Sequence, residues 1–96
     1  MKKIEAVIRV EKLDETLEAL EKAGHPGVMV TRIEGHGRQR GLKEQFRGRE
    51  YRVDLLPKVK LDVVVQNSDV EKIINCLVST AKTGQLGDGK IFVSPI

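Results

Sequence analysis

The sequence predicts an α+β domain in the order β-α-β-β-α-β, with a long connection between the second and third strands. Two observations predict the order. The hydrophobic period switches between two and 3.6 along the chain, and four strand-like segments bracket two helical ones within 96 residues. A third observation places the connection: residues 35–51, GHGRQRGLKEQFRGREY, follow neither period. Loops beyond about 12–15 residues are usually functional or disordered.

Over residues 2–10, Ile4, Ala6, Ile8 and Val10 alternate with Lys3, Glu5 and Arg9, as a strand with one covered face requires. Leu13, Leu17, Leu20 and Ala23 then recur at helical spacing over 13–23. Asp14 and Glu15 suit the positive end of that helix, and Gly24 is placed to stop it. His25-Pro26-Gly27 reads as a turn, and VMVTRIEG at 28–35 as the second strand. From Pro57 a third strand sets Val59, Leu61, Val63 and Val65 against Lys58, Lys60 and Asp62. Ser68 and Glu71 have capping-box spacing before a helix over 69–82, whose stripe is Val70, Ile73, Ile74, Leu77, Val78 and Ala81. Gly84 is placed to cap it, and KIFVSPI closes the chain as a fourth strand.

This order is the ferredoxin-like split βαβ: a four-stranded antiparallel sheet with two helices on one face. The other face is left open, and Val7, Met29, Ile33, Val64 and Phe92 can point toward it. A mixed apolar and charged open face suggests self-association. Residues 1–96 read as a single domain with no repeat beyond the βαβ echo.

Composition narrows the function. Lys and Arg number 17 against 14 Asp and Glu, an excess too small to require nucleic acid. One Tyr, two Phe and no Trp poorly equip an open sheet to stack bases. Basic residues concentrate over 32–60, which suits a phosphate, a carboxylate or an acidic surface. The single cysteine, Cys76, allows no disulfide within the chain and fits the small-core use of free thiols. No apolar run approaches 18 residues and the N-terminus alternates, so the reading is cytoplasmic.

Three constellations carry candidate chemistry. In Gly35-His36-Gly37-Arg38-Gln39-Arg40-Gly41, glycines let amides approach an anion, arginines offer forked donors, and the Gln39 amide oxygen suits a hard cation. The bland alternative is a solvated polar loop. In Thr83-Gly84-Gln85-Leu86-Gly87-Asp88-Gly89-Lys90 the amides are again exposed beside a lysine, without the register of a Walker A loop. Its alternative is a helix end and turn. Lys58 and Lys60 begin the third strand and could hold a carboxylate or simply be solvated. His25 and His36 lack spaced metal partners, and no nucleophile, base and orienter assemble. Enzyme is the weaker class.

Together these pieces resemble the PII signal-transduction family of nitrogen regulators, over almost the whole chain. The resemblance begins at Met1-Lys-Lys-Ile-Glu-Ala-Val-Ile-Arg9. It is most specific in residues 35–41, in Arg47-Gly-Arg-Glu-Tyr-Arg-Val-Asp54, in Leu56-Pro-Lys-Val-Lys60 and in Thr80–Val93. It implies the fold derived above and a homotrimer whose open sheet faces line the centre. ATP or ADP would bind between subunits, with 2-oxoglutarate held beside ATP through Mg2+. ADP lacks the γ-phosphate and should hold the metal and 2-oxoglutarate poorly. The long loop would change shape with ligand and dock on targets such as an ammonium transporter or glutamine synthetase, which would bring the protein to a membrane only indirectly.

Carried onto this chain, the resemblance places Arg38, Gly87, Asp88, Gly89 and Lys90 at the nucleotide phosphates, and Met29, Gly35, Gly37 and Val64 around adenosine. Gln39 would ligate Mg2+; with Arg40, Gly41 and Lys58 it would surround 2-oxoglutarate. Tyr51 matches a tyrosine that some members have uridylylated, and Arg47 a loop arginine that enters a transporter pore. Val10-Glu11, Met29, Arg40 and Phe46 depart from common family residues. The family usually continues past the fourth strand with phosphate-clamping arginines, whereas this sequence stops at Ile96; the expectation is a truncated C-terminal segment. The competing reading is a small ferredoxin-like nucleotide-hydrolysing enzyme, which slow ATP turnover would favour.

Overall fold

A computed structural model describes residues 1–35, 43–46, 49–52, 56–85 and 87–96. Strand β1 (Lys2–Arg9) leads through a short 3-10 turn into helix α1 (Leu13–Lys22) and strand β2 (Met29–Gly35). Two short strands follow, β3 (Lys43–Phe46) and β4 (Arg49–Arg52), then the long strand β5 (Leu56–Val65). A second 3-10 turn opens helix α2 (Val70–Ala81), and β6 (Gly89–Pro95) closes the chain.

The main sheet has the order β2-β5-β1-β6, and every pairing is antiparallel. This is the expected ferredoxin-like topology, with the long connection lying between its second and third strands. Alternation sorts the sheet into two faces. Ile4, Ala6 and Ile8 of β1 stand in register with Val63, Leu61 and Val59 of β5, and these six are at most 3% exposed. Leu20 of α1 and Ile73 and Leu77 of α2 complete that core. Cys76 is half-buried against it.

Several local details differ from the sequence reading. Ser68 does not cap α2: it lies within the 3-10 turn Asn67–Asp69, and the helix starts without a side-chain cap. A 3-10 turn supplies its own early hydrogen bonds, so the box is not used. Gly84 does not cap α2 either, since Lys82 leaves the helix extended while Gly84 takes φ +84 two residues on. Gly24, at φ +88, does follow the end of α1. Val78 is 42% exposed, so the α2 stripe is narrower than drawn. Thr16, fully buried in α1, was not foreseen; its hydroxyl donates to the Lys12 carbonyl at 2.7 Å, which makes burial of a polar group tolerable.

β3 and β4 are the larger difference. They pair antiparallel, Phe46 opposite Arg49 and Lys43 opposite Arg52, inside a segment read as having no strand period. A ribbon pairs through backbone groups and shows no alternation unless one face is covered. Among the described residues, no helix is long and apolar enough to cross a membrane.

Candidate functional site

The antiparallel register brings distant parts of the chain to one end of the sheet. β1 and β2 finish there, while β5 and β6 begin there. Arg9 stands opposite Lys58, Ile8 opposite Gly89, Val7 opposite Lys90, and Ile33 also opposite Lys58. Gly35, at the end of β2, lies so close to the Lys58 stem that a Cβ added to it would meet Lys58 Cγ at 3.3 Å. A side chain at this position would require the Lys58 stem to give by a few tenths of an ångström.

Alternation puts Arg9 and Lys58 on the open face, side by side. Lys58 is 9% exposed by its whole residue, not the freely solvated lysine that a bare strand face would offer. Burial, with the Arg9 charge as the second cause, holds its pKa below the ordinary lysine value. Its ammonium donates to the Gly87 carbonyl. Arg9 Nε donates to Asp88 Oδ1 at 3.1 Å.

Asp88 organises the turn before β6. Its Oδ1 accepts from the Thr83 hydroxyl, and its Oδ2 accepts from the backbone amides of Thr83 and Gly84, each at 2.9 Å. The Thr83 hydroxyl is the largest cause holding this carboxyl well below the usual carboxylate range; the Thr83 amide, Arg9 and the Gly84 amide add to it. A carboxylate near an anion site would ordinarily repel the anion. Here both oxygens are turned to the protein's own donors, so what residues 87–89 present outward is backbone.

Gly87 at φ +87 and Gly89 at φ +130 adopt conformations L side chains rarely take. At Gly89 the constraint is also one of space: a Cβ would fall 1.8 Å from the Val7 carbonyl oxygen. The turn therefore docks onto β1 at Val7 as well as at Arg9.

Of the residues expected to form the site, Gly35, Lys58, Gly87, Asp88, Gly89 and Lys90 meet at this end. Met29 and Val64 do not join them. Met29 pairs with Asp62 and Val64 with Lys3, further along the sheet; Met29 and Gly35 are the two ends of the seven-residue β2, about 20 Å of strand apart. Both are exposed on the open face, at 67% and 46%. Gly37, Arg38, Gln39, Arg40, Gly41 and Arg47 lie outside the described residues, and Tyr51 is described only as part of β4. Arg9 was given no place in the site by the sequence, and Thr83, though it opens the second constellation, was given no role. Arg9 carried a signal: it is a cation on the open face of the last turn of alternation in β1. Thr83 carried none, since only the bent chain brings it to Asp88.

Among the described residues no group of three or more His, Cys, Asp or Glu could hold a metal ion. His25 lies elsewhere, its Nε2 3.7 Å from Asp69 Oδ2, joining the end of α1 to the start of α2.

A ferredoxin-like sheet whose one end gathers glycine backbone and two adjacent cations defines a small domain suited to anionic ligands. Comparison with known proteins makes the class specific. The family model described as "Nitrogen regulatory protein P-II" matches residues 1–96. The chain is 54% identical over 96 residues to "Nitrogen regulatory protein P-II" of Azospirillum brasilense, covering 86% of that relative. It is 52% identical over the same length to "Nitrogen regulatory protein P-II 2" of Methanothermobacter thermautotrophicus, covering 84% of it. It is 55% identical to "Nitrogen regulatory protein P-II" of Mesorhizobium japonicum, covering 86%. The chain belongs to the P-II family of nitrogen regulatory proteins, and its role is signalling in nitrogen regulation.

Proposed function

We propose that the protein is a trimeric, non-catalytic sensor of ATP or ADP and of 2-oxoglutarate, which controls nitrogen assimilation by docking its long loop on a target such as an ammonium transporter or glutamine synthetase. The observation that carries the reading is the split placement of the expected site residues. Gly35, Lys58 and residues 87–90 share one end of the sheet, while Met29 and Val64 lie about 20 Å along it. One chain cannot wrap a nucleotide with both sets at once. Two copies meeting through their open faces can: one offers the amides and cations for phosphate, the other the apolar side chains for the base. Exposed Met29, Val64 and Phe92 on that face favour such a meeting.

In this reading Lys58 pairs with a carboxylate of 2-oxoglutarate beside the phosphates, and Lys90 and the amides of 87–89 take the phosphates. Mg2+ would be held by Gln39 together with ligand oxygens; Asp88 offers it nothing, since both its oxygens are engaged. The metal supplies the charge that lets a dicarboxylate approach a triphosphate. Arg47 and Tyr51 belong to the segment that reads the target, Tyr51 as a site of modification.

Calorimetry tests the reading. We expect 2-oxoglutarate to bind in the presence of Mg-ATP and not of ADP; equal binding with both nucleotides would sink the sensor mechanism. Light scattering is expected to return three chain masses, and a stable monomer would remove the shared site. Sustained ATP turnover would favour the competing hydrolase reading.

A further inference from the structure

We propose that Arg9 and Lys58 form a two-point latch that fastens the 87–88 turn to the sheet, which makes Lys58 a positioning residue for nucleotide binding as well as the expected partner of the dicarboxylate. The nucleotide half of this inference rests on the reading above. Arg9 and Lys58 are direct cross-strand partners on one face. Two like charges so placed are destabilising unless something compensates them. Part of the compensation comes from Glu11, whose carboxylate lies 4.0 Å from Arg9 and also favours the Lys58 charge, and part from consecutive residues of the turn: the Asp88 carboxylate accepts from Arg9, and the Gly87 carbonyl accepts from Lys58. Through its second oxygen Asp88 also gathers the amides of Thr83 and Gly84, so the start of the turn is tied to the same anchor.

The juxtaposition has a consequence for ligand order. The ammonium expected to meet a carboxylate is already bonded to the glycine expected to meet a phosphate. While the dicarboxylate is absent, Lys58 holds the turn in place for the nucleotide. When the dicarboxylate arrives it draws the ammonium away from Gly87, and the Arg9–Asp88 pair carries more of the attachment of the turn to the sheet. The lowered pKa of Lys58 fits this shared position, since burial and the neighbouring Arg9 both oppose its charge.

The test compares wild type with Lys58→Met and Lys58→Arg, in ADP and without 2-oxoglutarate. Lys58→Met is expected to weaken ADP about tenfold, the scale of one lost charge-assisted hydrogen bond, and Lys58→Arg to restore most of it. In the ligand-free proteins, Lys58→Met is expected to move the amide resonances of Gly87 and Asp88 while leaving those of α2 and the middle of β1 in place. Wild-type ADP affinity in Lys58→Met, or unmoved Gly87 and Asp88 resonances, overturns the latch. If wild type binds no ADP, the nucleotide reading falls, and the ligand-free spectra alone decide whether the latch exists.

Discussion

Along β5, Val59, Leu61, Val63 and Val65 are at most 2% exposed, and the residues between them, Lys58, Lys60, Asp62 and Val64, face the other way. The first set meets α1 and α2 across a dry layer of Ile, Leu and Val. The second set lies among Lys3, Glu5 and Arg9 of β1, with Lys3 Nζ 3.4 Å from Glu5 and 4.0 Å from Asp62. The same strand thus serves two environments. One face is closed within the chain and supplies the stability. The other is held by charges at distances that leave room for competitors, and it ends in the cationic corner at Arg9 and Lys58. A binding end can rearrange its polar contacts because the helix-covered face does not depend on them.

The strongest way to break this division is to attack the point where the two environments share backbone. Gly89→Ala would set a Cβ against the Val7 carbonyl oxygen and force a side chain to φ +130. Strain of about 1–3 kcal/mol and overpacking of about 1–3 kcal/mol add, and we expect a loss of about 4 kcal/mol in chemical denaturation. A near-neutral result would mean that β6 can slide away from β1 without cost. On the helix-covered face alone, Ile73→Ala removes a fully buried side chain and is expected to cost about 2–5 kcal/mol. Because Ile73 touches only the closed face, its loss should leave the 87–88 amide resonances where they are. If they shift, the two faces are coupled through the sheet.

Asp88 sharpens the comparison by pH. Its folded-state pKa is depressed, so its contribution is fully present above the unfolded carboxylate value of about 4 and is lost as pH falls toward the depressed folded value. Asp88→Asn should therefore be less stable than wild type at neutral pH, and the gap should narrow steadily below about pH 4. A gap independent of pH would mean that the Asp88 carboxyl titrates alike in the folded and unfolded chain, so that its bonds to Thr83, Gly84 and Arg9 do not favour the charged form. Thermal melts from pH 7 to pH 2.5 would separate the two outcomes.

The legibility of the sequence divides along the same line. The closed face was legible almost residue by residue, because burial forces alternation in Ile4, Ala6 and Ile8 and helical spacing in Ile73, Leu77 and Ala81. The open face was legible as a set, including Val7, Met29, Ile33, Val64 and Phe92, since it is the complement of the first. What could not be read was who meets whom across it. Arg9 reaches Asp88 across 79 positions, and no local pattern encodes such a pair. The cap of α2 was misread for a related reason: a capping box is a spacing, whereas α2 enters through the 3-10 turn Asn67–Asp69 without a side-chain cap from Ser68. The β3–β4 ribbon escaped because residues 43–52 show no period-two alternation of apolar and polar residues.

The smallest expected effect belongs to Asp62, and it is the one that reaches beyond a single chain. Its side chain is 8% exposed, and Oδ1 has no hydrogen-bond partner among the described residues. Lys3 and Lys60 approach only to 4.0 and 3.8 Å, and both are substantially solvated. Pairs of that kind contribute about 0.2–1 kcal/mol and are screened by salt. Asp62→Asn is therefore expected to cost about 0.5–1 kcal/mol in dilute buffer, with only part of the difference erased at about 0.5 M NaCl, because Asp62 itself is buried. Protein concentration adds a second axis. If copies meet through their open faces, a partner brings new donors toward Oδ1, and the loss should shrink as the protein is diluted, because association contributes to apparent stability only while the copies stay together. A loss that ignores dilution would confine Asp62 to its own chain, and the open face would then be stabilised from within, as the closed face is.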